Sequence, residues 1–143
     1  MEDISAKYEI LDHTADLGIE ITSDSYQDLF IDSAKITYSL LTDHTPVSEK
    51  ALQKNIPLTA IDKESLLHDW IAEVISLFWS DRIMLTDFIF NSLTNKEAQI
   101  EAKSTKVDFD KIDLKEEIKA VTYHNFTIKN VNNKFIANII YDI

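Results

Sequence analysis

The sequence predicts an α+β fold, a mostly antiparallel sheet covered by two helices, in the order β-α-β-α-β-β-β-β. Three observations lead there. Two segments carry apolar residues at helical spacing, and both precede Ser80. Four strand-like stretches then follow with short connections, which requires antiparallel pairing. The chain has 143 residues, 45% hydrophobic and 27% charged, the size and balance of one soluble domain spanning residues 1–143. No linker or solenoid repeat divides it.

The elements follow in order. Tyr8 to Thr22 reads as extended, with Leu17, Ile19 and Ile21 alternating against Gly18, Glu20 and Thr22 in a half-buried strand. The run Asp12-His13-Thr14-Ala15-Asp16 sits at a bend before it. Ser25 caps the first helix, with Asp28 three residues on as its capping-box partner. Tyr26, Leu29, Phe30, Ser33, Ala34, Thr37, Leu40 and Leu41 then recur at helical spacing, and Asp43 to Pro46 ends the element. Ala51 to Thr59 reads as a strand closing near Pro57.

The second helix starts around Asp62 or Ser65. Leu67, Trp70, Ile71, Val74, Leu77 and Phe78 form its apolar stripe, with His68, Asp69, Ala72, Glu73 and Ser76 on the other side. Ser80-Asp81 ends it. The four late strands are Ile83–Leu93, Glu97–Val107, Ile118–Lys129 and Phe135–Tyr141. The acidic insert Asp108–Glu117 separates the second from the third and reads as a solvated loop or a partner-docking patch. Asn130 to Asn133 reads as a hairpin turn between the last two.

Composition removes several classes of function. The net charge is −11, and the only arginine is Arg82. That argues against tight binding to a phosphate backbone or an anionic membrane. Cysteine is absent, so disulfides, zinc–thiolate sites and cysteine nucleophiles are excluded. A single glycine, Gly18, leaves no glycine-rich phosphate cradle. No apolar run approaches the roughly 18 residues of a membrane span. Met1-Glu2-Asp3-Ile4 has no signal-peptide character, so a cytoplasmic location is expected.

Three places could carry chemistry. The stretch Asp12-His13-Thr14-Ala15-Asp16 reads either as a turn with Asx-type hydrogen bonds or as a hard-cation site or acid/base pair. Tyr141-Asp142-Ile143 reads either as a frayed acidic end or as an edge strand pinning the carboxylates of Asp142 and the terminal Ile143. In Lys119 to His124, alternation puts His124 on one face with Ile118, Ala120, Phe126 and Ile128. There it is a hydrogen-bonded core histidine or a ligand, while Lys119 and Tyr123 share the other face. On the second helix Asp69 and Glu73 are like charges at i and i+4, an ordinary solvated face that His68 makes somewhat more interesting.

Several of these stretches together resemble the archease family. Tyr8-Glu9-Ile10-Leu11-Asp12-His13-Thr14-Ala15-Asp16-Leu17 is similar to its "DHTAD" opening. Leu66-Leu67 with Trp70-Ile71-Ala72-Glu73 is similar to its central leucine-rich helix. Ile118-Lys119-Ala120-Val121-Thr122-Tyr123-His124 resembles its "VKAITYH" strand, and Asp142-Ile143 its closing "DI". The order is right and the match spans the chain. The resemblance implies a non-catalytic accessory protein of an RtcB-type RNA ligase. Such a protein promotes guanylylation and multiple turnover of the ligase in tRNA splicing and RNA repair. It further implies a metal site at Asp16, Asp142 and Ile143. Asp12, His13, Glu73, Lys119 and His124 are candidates for positions behind that site or facing the partner. The sequence departs from the family after Gly18, where many members carry another glycine, and at Ala72, where an acid is frequent. Three oxygen donors without sulfur suit Ca²⁺, Mg²⁺ or Mn²⁺, and the family favours Ca²⁺. The expected partner is the ligase, with neither tight direct nucleic-acid binding nor a membrane. The competing readings are a metal-dependent phosphate-ester hydrolase and a chaperone-like acidic interaction module.

Overall fold

A computed structural model describes residues 7–11, 16–45 and 51–143. Its elements in chain order are β1 (Lys7–Leu11), β2 (Asp16–Ser23), α1 (Tyr26–Leu41), β3 (Leu52–Thr59), α2 (Lys63–Ser76), β4 (Ile83–Leu93), β5 (Glu97–Lys106), β6 (Ala120–Val121), β7 (Thr127–Val131) and β8 (Lys134–Asp142). The α+β class and the element order hold, with the first extended segment resolved into β1 and β2. The sheet divides in two. One, five-stranded, runs β1-β2-β8-β6 with β7 also on β8; the other, three-stranded, runs β3-β5-β4. Every pairing is antiparallel.

The helices form where the caps allow. Ser25 Oγ accepts from the Asp28 amide at 3.0 Å, and Asp62 Oδ1 accepts from the Ser65 amide at 2.8 Å. Each cap satisfies one of the donors a helix start leaves open. Asp62 is held below its ordinary carboxylate range by these Ser65 hydrogen bonds. Helix α1 is buried on most of its circumference because it packs against both sheets. On one side the Thr37 and Tyr141 hydroxyls share a 2.8 Å hydrogen bond toward β8. On the other, the Leu85 amide of β4 donates to Tyr38 Oη at 2.9 Å. Trp70 of α2 is fully buried and donates Nε1–H to Phe30 O at 2.8 Å, locking the helices together. At its end α2 widens into a π turn, Leu77–Asp81, closed by Arg82 in the left-handed region.

Four local expectations are corrected. Strand Ile118–Lys129 is interrupted: β6 and β7 lie along the same edge of β8, separated by a turn at His124-Asn125, with Asn125 at φ 50°. The hairpin turn is confined to Asn132-Asn133, both with positive φ, and pairing runs through Val131↔Lys134. The acidic insert is not merely solvated. Its Lys115 and Glu116 amides donate to Leu41 O and Leu40 O at 2.8 and 3.0 Å, and Lys115 Nζ donates to Ser39 O at 2.8 Å. The insert thus satisfies the open carbonyls at the end of α1 and brings a cation to the negative end of its dipole. Pro57 lies inside β3 rather than closing it, which an edge strand tolerates.

Tyr38→Phe removes the acceptor of the buried Leu85 amide while conserving shape. It is expected to cost about 1–3 kcal/mol, read as a lower urea midpoint at unchanged slope. A second expectation concerns alkaline pH. Burial raises the phenols of Tyr38 and Tyr141, and burial with the Glu64 charge pushes Tyr26 up to about 12. Raised folded values mean that the folded state holds these protons more tightly than the unfolded one. Their contribution is complete below the ordinary tyrosine value near 10 and is lost as pH climbs through the folded values. Stability should therefore fall above pH 10, with tyrosinate absorbance from these rings rising together with unfolding.

Candidate carboxylate site at the end of the large sheet

The site is built by strand register. β2 and β8 pair from Ser23↔Phe135 to Asp16↔Asp142, so the two aspartates are direct cross-strand neighbours. Opposed residues project to the same face. The alternate positions Ile19, Ile21, Ala137, Ile139 and Tyr141 are buried and turn to the helices. Asp16 and Asp142 therefore face away from the core; Asp16 is half-buried and Asp142 exposed. On the other edge of β8, Ala120 pairs with Asp142, and the Lys119 amide donates to Asp142 O at 2.7 Å. Asp142 is thus flanked by β2 and β6, and Ile143 follows it, 40% exposed.

The other sequence candidates distribute as follows. Asp12 and His13 lie outside the described residues. Lys119 is exposed, and its backbone adjoins that of Asp142. With Ala72, Ser76, Trp79 and Val121 it lines a groove between α2 and β6. Glu73 is half-buried on α2. His124 is not on an apolar face: it is exposed in the turn that interrupts the strand, so alternation no longer applies to it.

A second cluster lies nearby that sequence reasoning largely missed. His68 is half-buried rather than solvated. Its ring stacks on Tyr123 at 3.6 Å between centroids and 12° between planes. Its Nε2 is 3.2 Å from Val121 O and its Nδ1 3.2 Å from Asp69 Oδ1. Tyr123 Oη donates to the same Asp69 oxygen at 3.3 Å. Partial burial, with the Asp69 charge, raises the Tyr123 phenol. The adjacent His68-Asp69 pair was visible in the sequence, but nothing in its spacing joins it to Tyr123.

The donor chemistry fits a hard cation: two opposed carboxylates, oxygen only, at an accessible sheet end. Among the described residues no three His, Asp or Glu side chains gather closely enough to hold a metal ion. Asp16 and Asp142 are a pair, and the third donor implied by the resemblance, at Ile143, is main-chain. Residues 8–143 match the model of the Archease protein family (MTH1598/TM1083). The chain belongs to the archease family. It is 30% identical over 139 residues to Protein archease of Sulfurisphaera tokodaii, an alignment covering 96% of this chain and 99% of that one. Against Protein archease of Methanopyrus kandleri the identity is 30% over 139 residues, covering 95% and 99%. The solution structure of Methanobacterium thermoautotrophicum protein 1598 superposes with a TM-score of 0.71 at 19% identity, covering 95% of this chain and 98% of that one. The crystal structure of a Thermotoga maritima archease, described as a possible chaperone, superposes at 0.62 and 20%, covering 93% and 94%. These two likenesses show that the fold is the archease fold. No helix among the described residues is long and apolar enough to cross a membrane.

Opposed like charges cost stability in a sheet. In chelator-treated protein, Asp16→Asn should raise the unfolding free energy by about 0.2–1 kcal/mol, more at low salt than at high. Urea titration at two ionic strengths checks this; a loss of stability would mean that the carboxylates do not repel across the pair.

Proposed function

We propose that this archease activates an RtcB-type RNA ligase, promoting its guanylylation and multiple turnover, and does so through a divalent cation held by Asp16, Asp142 and Ile143. The observation that carries this reading is the Asp16↔Asp142 register. It puts two residues 126 positions apart in the chain at one sheet end, both within the residues 8–143 that match the family model. Two carboxylates on adjacent strands repel unless a cation lies between them. With a main-chain oxygen of Ile143 as the third donor, the set is hard and oxygen-only, suited to Ca²⁺, Mg²⁺ or Mn²⁺. The cation supplies positive charge and open coordination positions at the surface. The chain's own part is to hold the carboxylates in register, Asp142 between two strands, and to present them outward.

The net charge of −11 supports a protein partner over a nucleic acid. The protein then works in the cytoplasm as an accessory factor and not as an enzyme. The description of the Thermotoga relative as a possible chaperone favours a second reading, an acidic interaction module in which the metal is dispensable.

A multiple-turnover assay of an RtcB-type ligase, with and without this protein, separates the readings. Wild-type protein should raise turnover. Asp16→Ala and Asp142→Asn should lose the stimulation while folding normally, with Ca²⁺ affinity down by at least about 100-fold, the upper end of what outer-shell changes cost. Stimulation that survives both substitutions supports the chaperone-like reading. Phosphate-ester hydrolysis by the purified protein with any of the three metals would overturn both.

A further inference from the structure

We infer that His68 is a positioning residue for the Asp16–Asp142 pair: it holds β6 against α2, and β6 fixes the backbone of Asp142. This rests on the carboxylate-site reading above. β6 is only Ala120 and Val121, yet it forms one of the two walls of Asp142. Its bonds to β8 include Lys119 N–H to Asp142 O at 2.7 Å and Thr122 N–H to Ile140 O at 2.9 Å. Two residues of pairing are little to hold a strand, and the chain turns away directly at His124-Asn125. The missing restraint comes from the helix side. Trp79 Nε1–H donates to Ile118 O at 2.7 Å, and His68 Nε2 meets Val121 O at 3.2 Å, so the two side chains bracket β6.

The His68 bond is directional because its ring has little freedom. Tyr123 covers one face. Phe126 meets it edge-on, with centroids 5.7 Å apart at 71°. Asp69 Oδ1 lies 3.2 Å from Nδ1, and Tyr123 Oη donates to that same oxygen. A side chain so held, 12% exposed, aims Nε2 at one carbonyl. Val121 is the cross-strand partner of Tyr141, one residue from Asp142. Restraint therefore passes from α2 to Val121, along β6 to Ala120, and across to Asp142. Supporting groups of this kind raise metal affinity by limiting the excursions of a ligand without touching the ion.

Two variants test this. His68→Phe keeps a ring for Tyr123 and Phe126 and loses the bond to Val121 O. His68→Gln carries an amide N–H that restores it. Amide hydrogen exchange on metal-free protein reads the clamp directly. The Lys119 and Thr122 amides should exchange about tenfold or more faster in His68→Phe, with amides in β2 and α1 unchanged, and recover in His68→Gln. Calorimetric titration with Ca²⁺, Mg²⁺ and Mn²⁺ alone should show about tenfold weaker binding in His68→Phe, again recovered by Gln. Unchanged exchange at Lys119 overturns the inference. Faster exchange with unchanged affinity overturns it too, leaving the carboxylate site intact. Wild-type protein that binds none of the three ions overturns the carboxylate site and this inference with it.

Discussion

The pairing of β2 with β8 is the constraint on which the rest of the molecule depends. β8 is bonded along both edges, to β2 on one and to β7 and β6 on the other. A slip of one residue would turn Ile139 and Tyr141 out to solvent and carry Asp142 inward. Register is therefore enforced chemically as well as by hydrophobic alternation. The Tyr141 hydroxyl meets Thr37 of α1 inside the core, and at the far end of β2 Ser23 donates to the buried Asp32 at 2.8 Å. These bonds hold only in one register, because an unmet hydroxyl or carboxylate in the core costs a kilocalorie or more. The outward position of Asp16 and Asp142 is set by groups that never approach them.

That arrangement places a like-charge pair where the fold gains nothing from it. The carboxylates could be separated by a single polar exchange at either strand end without disturbing the core. In the function proposed above, a cation between the two carboxylates would offset the repulsion expected of an opposed like-charge pair. Elsewhere the chain pairs its acids: Asp24 with Lys134 at the hairpin, Asp43 with Lys115, and Asp87 with Lys103. These exposed pairs contribute little to stability. They do show that the acidic excess was accommodated with nearby cations in several places.

Much of this was legible because the elements have strong local signals. Ser25 and Asp62 capped the helices as their types predict, and the strand Ile83–Leu93 began and ended where its composition changed. The candidate residues Asp16 and Asp142 could be named together only through motif resemblance, since they are neighbours only through pairing. The left-handed positions were harder to place. With one glycine in the chain, Arg82, Asp87, Asn125, Asn132 and Asn133 take positive φ instead. Asparagine and aspartate do this at modest cost because their short polar side chains bond locally. Asn132-Asn133 announced itself as a hairpin turn, whereas Asn125, lying inside an apparently continuous strand pattern, did not.

The interruption at Asn125 shows why alternation alone misplaced His124. A period-2 pattern reports which faces are apolar, and Phe126 and Ile128 are indeed buried. It does not report whether the backbone between apolar residues stays paired. Here Val121 and Phe126 both reach the core, and the chain between them leaves the sheet at a left-handed asparagine. The space this opens is taken by a side chain of α2: His68 fills it, stacked on Tyr123, and bonds the carbonyl of Val121. A helix side chain thus supplies what strand pairing gives up. The same break that hid His124 from the sequence pattern is what brings His68, a little over half a helical turn from the stripe residue Trp70, into contact with the strand flanking Asp142.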